Sequence, residues 1–179
     1  EKEAYAIDTR CIHLDAPLSE NIFGALSFPI FQTASYAHRA VGDSDGYDYS
    51  RLQNPTRENL EKIVCSLEGG IDALAFASGM SAVSALMELF VPGDHVIAEE
   101  DLYGGSVRLF EHINEKNGLS FSRTCIGADP DWNRLFNEHT KAVYLESPTN
   151  PLMHVSDIAK VAEETHRHGA ILIVDNTFL

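Results

Sequence analysis

The stretch ILIVDNTFL, residues 171–179, is a run of apolar β-formers that ends in an acid, an amide and a threonine. Four aliphatic residues in succession, Ile171 to Val174, describe a strand covered on both faces rather than one with a wet side. Asp175 at its C-terminal tip is then a poorly solvated carboxylate that needs a cationic or hydrogen-bonded partner. A structural Arg or Lys pair is one answer to that need, and a ligand is the other. Further apolar runs precede this one: ALAFA (73–77), HVIA (95–98), LSFSR (119–123) and AVYLE (142–146). Between them lie helical segments through Met80, Val83, Met87 and Phe90, through Val107, Phe110 and Ile113, near 131–138, and through Ile158, Val161 and Ala162, the last closed by Gly169. Strand–helix alternation of this kind predicts an α/β fold, a three-layer αβα stack around a mostly parallel sheet.

Upstream the pattern changes. Leu60, Ile63, Val64 and Leu67 fall at i, i+3, i+4 and i+7, which predicts a helix from Pro55 with Thr56 as N-cap and Gly69-Gly70 as its stop. Residues 1–54 mix aromatics, Gly, Pro and Asp without helical period and read as an extended arm that needs something to lie against. The expected organisation is an arm over 1–54 and an α/β portion over 55–179. With 27 acids against 13 bases in 179 residues the formal charge is −14, which argues against nucleic acid and anionic membranes as partners. Cys11, Cys65 and Cys125 make neither a CxxC pair nor a disulfide framework, and they fit a reducing cytoplasm. No apolar run reaches the roughly 20 residues of a membrane span, and the first residues carry no signal-type apolar core.

In open α/β sheets ligands gather beyond the carboxyl ends of the strands. The exit ASGMSA, residues 77–82, is a Ser78-Gly79 step that opens directly into a helix, so its exposed backbone N–H groups offer a phosphate cradle or simply a turn. It is neither GxGxxG, a Walker loop nor the GxSxG elbow of a hydrolase, which leaves a nucleotide-dependent oxidoreductase with little support. Tyr103, at the head of the next helix beside Gly104-Gly105, is either a packing aromatic or a ring that stacks on a flat cofactor. In ESPTNP, 146–151, two prolines fix the backbone around Asn150. Arg51, near Tyr49 in the arm, is surface charge or a phosphate anchor. His166 and His168, at i and i+2 of a helix, diverge and read as solvated, and no metal site is expected. Together the exits ask for a ligand that is anionic at one end, aromatic in the middle and basic at a ring nitrogen facing Asp175, a description that pyridoxal phosphate meets.

The motifs YSRLQNPTRENLE, ASGMSA, LYGGSVRLF, ESPTNP and VDNTF, in this order and spacing, resemble the trans-sulfuration, or Cys/Met-metabolism, family of pyridoxal-phosphate enzymes. The resemblance implies the large domain of a fold-type I pyridoxal-phosphate transferase. It implies that Gly79 and Met80 are backbone donors to the cofactor phosphate, that Tyr103 stacks on the pyridine and that Asn150 orients cofactor or substrate near the ring oxygen. Asp175 keeps the ring nitrogen protonated in that scheme, which makes the ring an electron sink. Tyr49 and Arg51 match arm residues that reach the cofactor phosphate of a neighbouring subunit. The family is commonly a dimer of dimers. Gly105, following Tyr103-Gly104, matches the cystathionine and sulfhydrylase branches, whereas typical methionine γ-lyases carry a cysteine there.

One part of the family's machinery has no counterpart. Such enzymes need a Schiff-base lysine, and Lys2, Lys62, Lys116, Lys141 and Lys160 all sit in helices, at the terminus or on the wrong side of the sheet. The chain is therefore expected to be the N-terminal part of a longer enzyme, its sheet left with open edges beside 73–77. The expected parent activity is β/γ-elimination or γ-replacement on a sulfur-containing or O-acylated homoserine amino acid. For the chain by itself no turnover is expected. The alternative is a non-catalytic piece, a half-subunit or interaction module that joins a complementing C-terminal chain.

Overall fold

A computed structural model describes residues 5–13 and 22–179. Two compact units divide the chain, Glu1–Phe76 and Ala77–Leu179. Lys2 and positions 14–21 of the arm lie outside the described residues.

The first unit is built on two helices, α1 (Ile7–Arg10) and α2 (Pro55–Glu68). Asn54, not Thr56, caps α2: its backbone is extended, its side-chain oxygen accepts from the Thr56 N–H at 2.9 Å, and Pro55 takes the first helical position, where its missing N–H costs nothing. The Thr56 hydroxyl is thereby released for the arm. It accepts from Phe31 N at 2.9 Å and donates to Pro29 O at 3.1 Å. Gly69, at φ 63°, ends the helix as expected. Expected to be extended throughout, the arm instead carries α1 and a short helical turn at Ile22–Gly24. Residues 34–50 fold back on themselves through Ser50 N to Ala34 O at 2.9 Å and Tyr36 N to Asp48 O at 3.1 Å, and Tyr47 donates to Glu58 of α2. Burial and that acid push the Tyr47 phenol up to about 12.

The expected strand at 73–77 does not form. Residues 72–76 pair with no strand, Leu74 and Phe76 are exposed, and the Ala75 N–H goes instead to the Glu61 side chain at 2.9 Å. A strand is a pairing as much as a propensity, and among the described residues this segment has no strand to pair with.

The second unit is a parallel sheet. Its strands are β1 (His95–Glu99), β2 (Ser120–Thr124), β3 (Thr140–Glu146) and β4 (Ile171–Asp175), in the order β2-β1-β3-β4. Helix α3 (Gly79–Met87) precedes β1, and α4 (Gly104–Leu109), α5 (Trp132–Leu135) and α6 (Ile158–Arg167) connect the strands. α4 runs on into a π turn, Phe110–Asn114, where Glu115 N reaches back to Phe110 O at 2.9 Å. One core packs Val83 and Met87 of α3 and Phe110 against Val96, Ala98, Ala142, Tyr144 and Ile173; the other packs Trp132 and Val161 against Ile97, Val143 and Leu145. Alternate residues of β1 and β3 thus face opposite helical layers, which is the expected three-layer stack. From β1 the chain moves outward to β2 and then crosses back to β3, so the order reverses between β1 and β3. A ligand crevice belongs beyond the carboxyl ends at that switch point.

Candidate active site at the strand exits

Besides the exposed Glu100, four acids stand at the carboxyl ends of three neighbouring strands: Glu99 and Asp101 at β1, Glu146 at β3 and Asp175 at β4. Three of them are spent on holding loops. Glu99, fully buried, accepts from Glu100 N at 3.0 Å and from Ile126 N at 3.1 Å. Burial raises its carboxyl above the usual range, and those N–H groups offset part of the rise. Asp101 accepts from the Thr149 hydroxyl at 2.5 Å and from Leu152 N at 2.9 Å, which ties the ESPTNP turn to the β1 exit. Glu146, 4% exposed, accepts from Tyr103 N at 2.9 Å and from the backbone of Asn150. Its carboxyl is also raised, first by burial and further by the neighbouring Asp175 and Asp101.

Asp175 differs from the other three. It is half-buried, faces Glu146 in the β3–β4 register, and accepts from the Tyr144 hydroxyl at 3.1 Å and from the Thr177 hydroxyl and N–H at 2.5 and 3.2 Å. Among the described residues no Lys, Arg or His pairs with it, so the structural ion pair that the sequence left open is not what holds this acid. Tyr144 is fully buried, and burial pushes its phenol upward, so it stays a hydrogen-bond donor.

The Tyr103 ring is 46% exposed, and beneath it lies Gly105. A Cβ at Gly105 would stand 2.3 Å from the ring and 2.9 Å from Met80 Sδ, so the ring and the methionine close over a space that only glycine leaves. Met80 belongs to α3, whose N-cap Ser78 accepts from Ser81 N at 3.2 Å while the Ser81 hydroxyl accepts from Ser78 N at 3.0 Å. That reciprocal cap uses the Ser78 hydroxyl. Gly79 N and Met80 N, the first two of the helix, are left without an intrahelical acceptor. Contacts therefore run from Met80 to Gly105 and Tyr103, on to Glu146 and so to Asp175. Asn150, half-buried, enters through its backbone. Tyr49 and Arg51 belong to the other unit, where the guanidinium lies over the tyrosine ring at 5.0 Å.

The Cys/Met metabolism PLP-dependent enzyme model matches residues 8–179. The chain belongs to this family. Within it, a cystathionine γ-synthase/O-acetylhomoserine (thiol)-lyase of Bacillus subtilis is 45% identical over 160 residues, 89% of this chain and 43% of that protein. The crystal structure of a cystathionine γ-lyase from Lactobacillus plantarum complexed with L-serine superposes with a TM-score of 0.87 at 36% identity, covering 97% of this chain and 45% of that one. A cystathionine γ-synthase from Xanthomonas oryzae pv. oryzae, in complex with aminoacrylate and cysteine, gives 0.88 at 30% identity, covering 98% and 46%. The chain thus spans less than half the length of these family members, matching their N-terminal part, and its fold is that of the pyridoxal-phosphate-dependent fold-type I enzymes.

Several site features escaped the sequence reading. Tyr144, Glu146 and Thr177 were legible only as strand or turn residues, although Tyr144 and Glu146 fall at i and i+2 and so share a face. Lys141 lies within β3 rather than before it, at the end remote from Asp175. Lys62 and Lys160 are paired with Glu58 and Asp129 at 2.6 and 2.8 Å. His168 is not solvated: its ring stacks on Phe136 at 4.1 Å and its Nε2 is buried. Among the described residues no His/Cys/Asp/Glu group is placed to hold a metal, and no helix is long and apolar enough to cross a membrane.

Proposed function

We propose that this chain forms the cofactor-binding N-terminal half of a trans-sulfuration enzyme, acting by β/γ-elimination or γ-replacement on sulfur-containing or O-acylated homoserine amino acids. The observation that carries the reading is Asp175, a strand-tip carboxylate ringed by hydroxyl and N–H donors and, among the described residues, without a cation. The donor set suits pyridoxal phosphate. Gly79 N and Met80 N face a negative group at a helix start, the Tyr103 ring offers a face made accessible by Gly105, and Asp175 is the acceptor for a protonated ring nitrogen. Asn150 is assigned to the ring oxygen, Ser78 to the shape of the phosphate turn. When bound, the cofactor supplies an electron sink for the electrons left on the α-carbon of an amino acid.

The chain's own contribution is orientation and charge. Tyr144 and Thr177 hold Asp175 as an acceptor, Tyr103 limits water above the ring, and the α3 start fixes the anionic end. In this proposal residues 1–54 are an arm for contacts between subunits, with Tyr49 and Arg51 reaching a neighbouring cofactor phosphate in a dimer of dimers, within the cytoplasm. Residues 55–179 are the cofactor-binding portion.

The positions of the lysines favour a second reading for the chain alone, a non-catalytic half-subunit that joins a complementing C-terminal chain. Among the described residues none of the lysines stands at a strand exit. Titration with pyridoxamine 5′-phosphate, which lacks the aldehyde that would react with surface lysines, tests the site, and cystathionine formation from O-acetylhomoserine and cysteine tests the activity. Binding that Asp175→Ala abolishes, with turnover appearing only when a lysine-bearing C-terminal half is added, is the expected result. Binding indifferent to Asp175→Ala would overturn the assignment, and turnover by the chain alone would overturn the half-subunit reading.

A further inference from the structure

Tyr103 and Asn150 come from different strand exits, yet their backbones meet on one side chain. Tyr103 occupies the N-cap position of α4, which has no side-chain cap of its own, and its N–H crosses to Glu146 Oε2 on the next strand at 2.9 Å. The same carboxylate receives the backbone of Asn150, four residues further on. Glu146 is 4% exposed, and its register partner across β3–β4 is Asp175.

We propose that Glu146 is a positioning residue of the site: one carboxylate sets the height of the Tyr103 ring and of the Asn150 turn relative to Asp175. The tie lies at the β1/β3 switch point, beyond the carboxyl ends of the strands where ligands of open α/β sheets gather. Gly105 leaves the space under the ring to Met80 and the ring itself, and the backbone N–H that carries the ring is held by Glu146. A fold-holding acid would serve equally well anywhere along the loops. This one joins the residue assigned to the face of the cofactor ring with the residue assigned to its oxygen, beside the acid assigned to its nitrogen. In that respect the inference rests on the functional reading above.

The test compares wild type, Glu146→Ala, Glu146→Asp and Glu146→Gln in the 179-residue chain. Amide exchange at Tyr103 is read against Val96 and Val143, and the Tyr103 ring resonances are followed during titration with pyridoxamine 5′-phosphate. Loss of a charge-assisted hydrogen bond predicts Tyr103 exchange faster by roughly tenfold or more in Glu146→Ala, with the core amides unchanged. Glu146→Asp, one methylene short of Tyr103 N, behaves like Ala, and it serves alone if the Ala variant does not fold. Glu146→Gln keeps an acceptor oxygen, restores protection and restores the ligand-induced shift of the Tyr103 ring, which both shorter variants lose. Unchanged Tyr103 exchange in both shorter variants would overturn the role of Glu146. A wild-type ring indifferent to pyridoxamine 5′-phosphate would overturn the functional reading, and the positioning role with it. Faster exchange in the same experiment would locate that failure in the ligand assignment rather than in the tie.

Discussion

The two ends of the sheet in the second unit use polar residues in opposite ways. At the entry end His95 is 4% exposed and closes on its neighbours: Nδ1 lies 2.8 Å from Thr140 Oγ1 on β3 and Nε2 lies 2.9 Å from Ser122 Oγ on β2. Thr140 Oγ1 also accepts from Asn137 N at 2.9 Å, which joins the turn before β3 to the same cluster. These bonds run from strand to strand and leave nothing over. At the exit end the carboxylates gather loop N–H groups, and among the described residues no cation pairs with Asp175. A sheet end that satisfies itself is structural; one that spends its acids on its loops fits the ligand site proposed above.

The comparison is broken most severely through the core beneath the exit end. Phe110 is 1% exposed, stacks on Phe121 at 4.7 Å and meets Tyr144 edge-on at 5.1 Å. Phe110→Ala is expected to cost about 3–5 kcal/mol in urea unfolding and to loosen the Tyr144–Asp175 contact. Next comes Gly105→Ala. Its Cβ must displace the Tyr103 ring, an overpacking cost of about 1–3 kcal/mol. The comparison predicts shifted Tyr103 ring resonances at the exit end and an unchanged His95 environment.

The entry end is probed by pH. Burial holds the folded His95 below its ordinary value, so as pH falls through about 6.5 the unfolded chain takes up a proton that the folded chain refuses. Stability present at neutral pH is then lost toward the folded value, with a slope of at most about 1.4 kcal/mol per pH unit. Glu99 and Glu146, raised by burial, act in the opposite sense above pH 4.5, where the folded chain keeps protons that the unfolded chain releases. The difference between wild type and His95→Gln isolates the histidine, and a slope that survives the substitution would refute the assignment. The smallest effect is Ser78→Ala, the loss of one N-cap, about 1 kcal/mol in thermal or urea unfolding.

The layers of the fold were legible because burial on both faces writes itself as aliphatic runs, and the four strands that formed do so within two residues of those runs. The segment at 73–77 has the same composition and did not form, because pairing is decided by a partner and not by the segment. Thr56 and Asn54 are both able to cap, and the choice fell to the residue before Pro55. Asp175 and Tyr103 were visible as polar or aromatic breaks at the edges of patterned segments. Tyr144 and Glu146 were not, since a phenol and a carboxylate inside a buried run differ from core residues only by whom they face, and register is not written in composition.

That register has a further reach. Glu146 and Asp175 stand opposite each other because β4 pairs Ile171 with Ala142 and keeps step to the tip. Sliding β4 by one residue would bring Val174 or Asn176 opposite Glu146 and turn the acid to the other layer. Insertions and deletions inside this strand are therefore tolerable only in even numbers, and even then only where the loop absorbs the change in length. Comparing lineages of this family at β4 is a search for parity, with the acid as the marker.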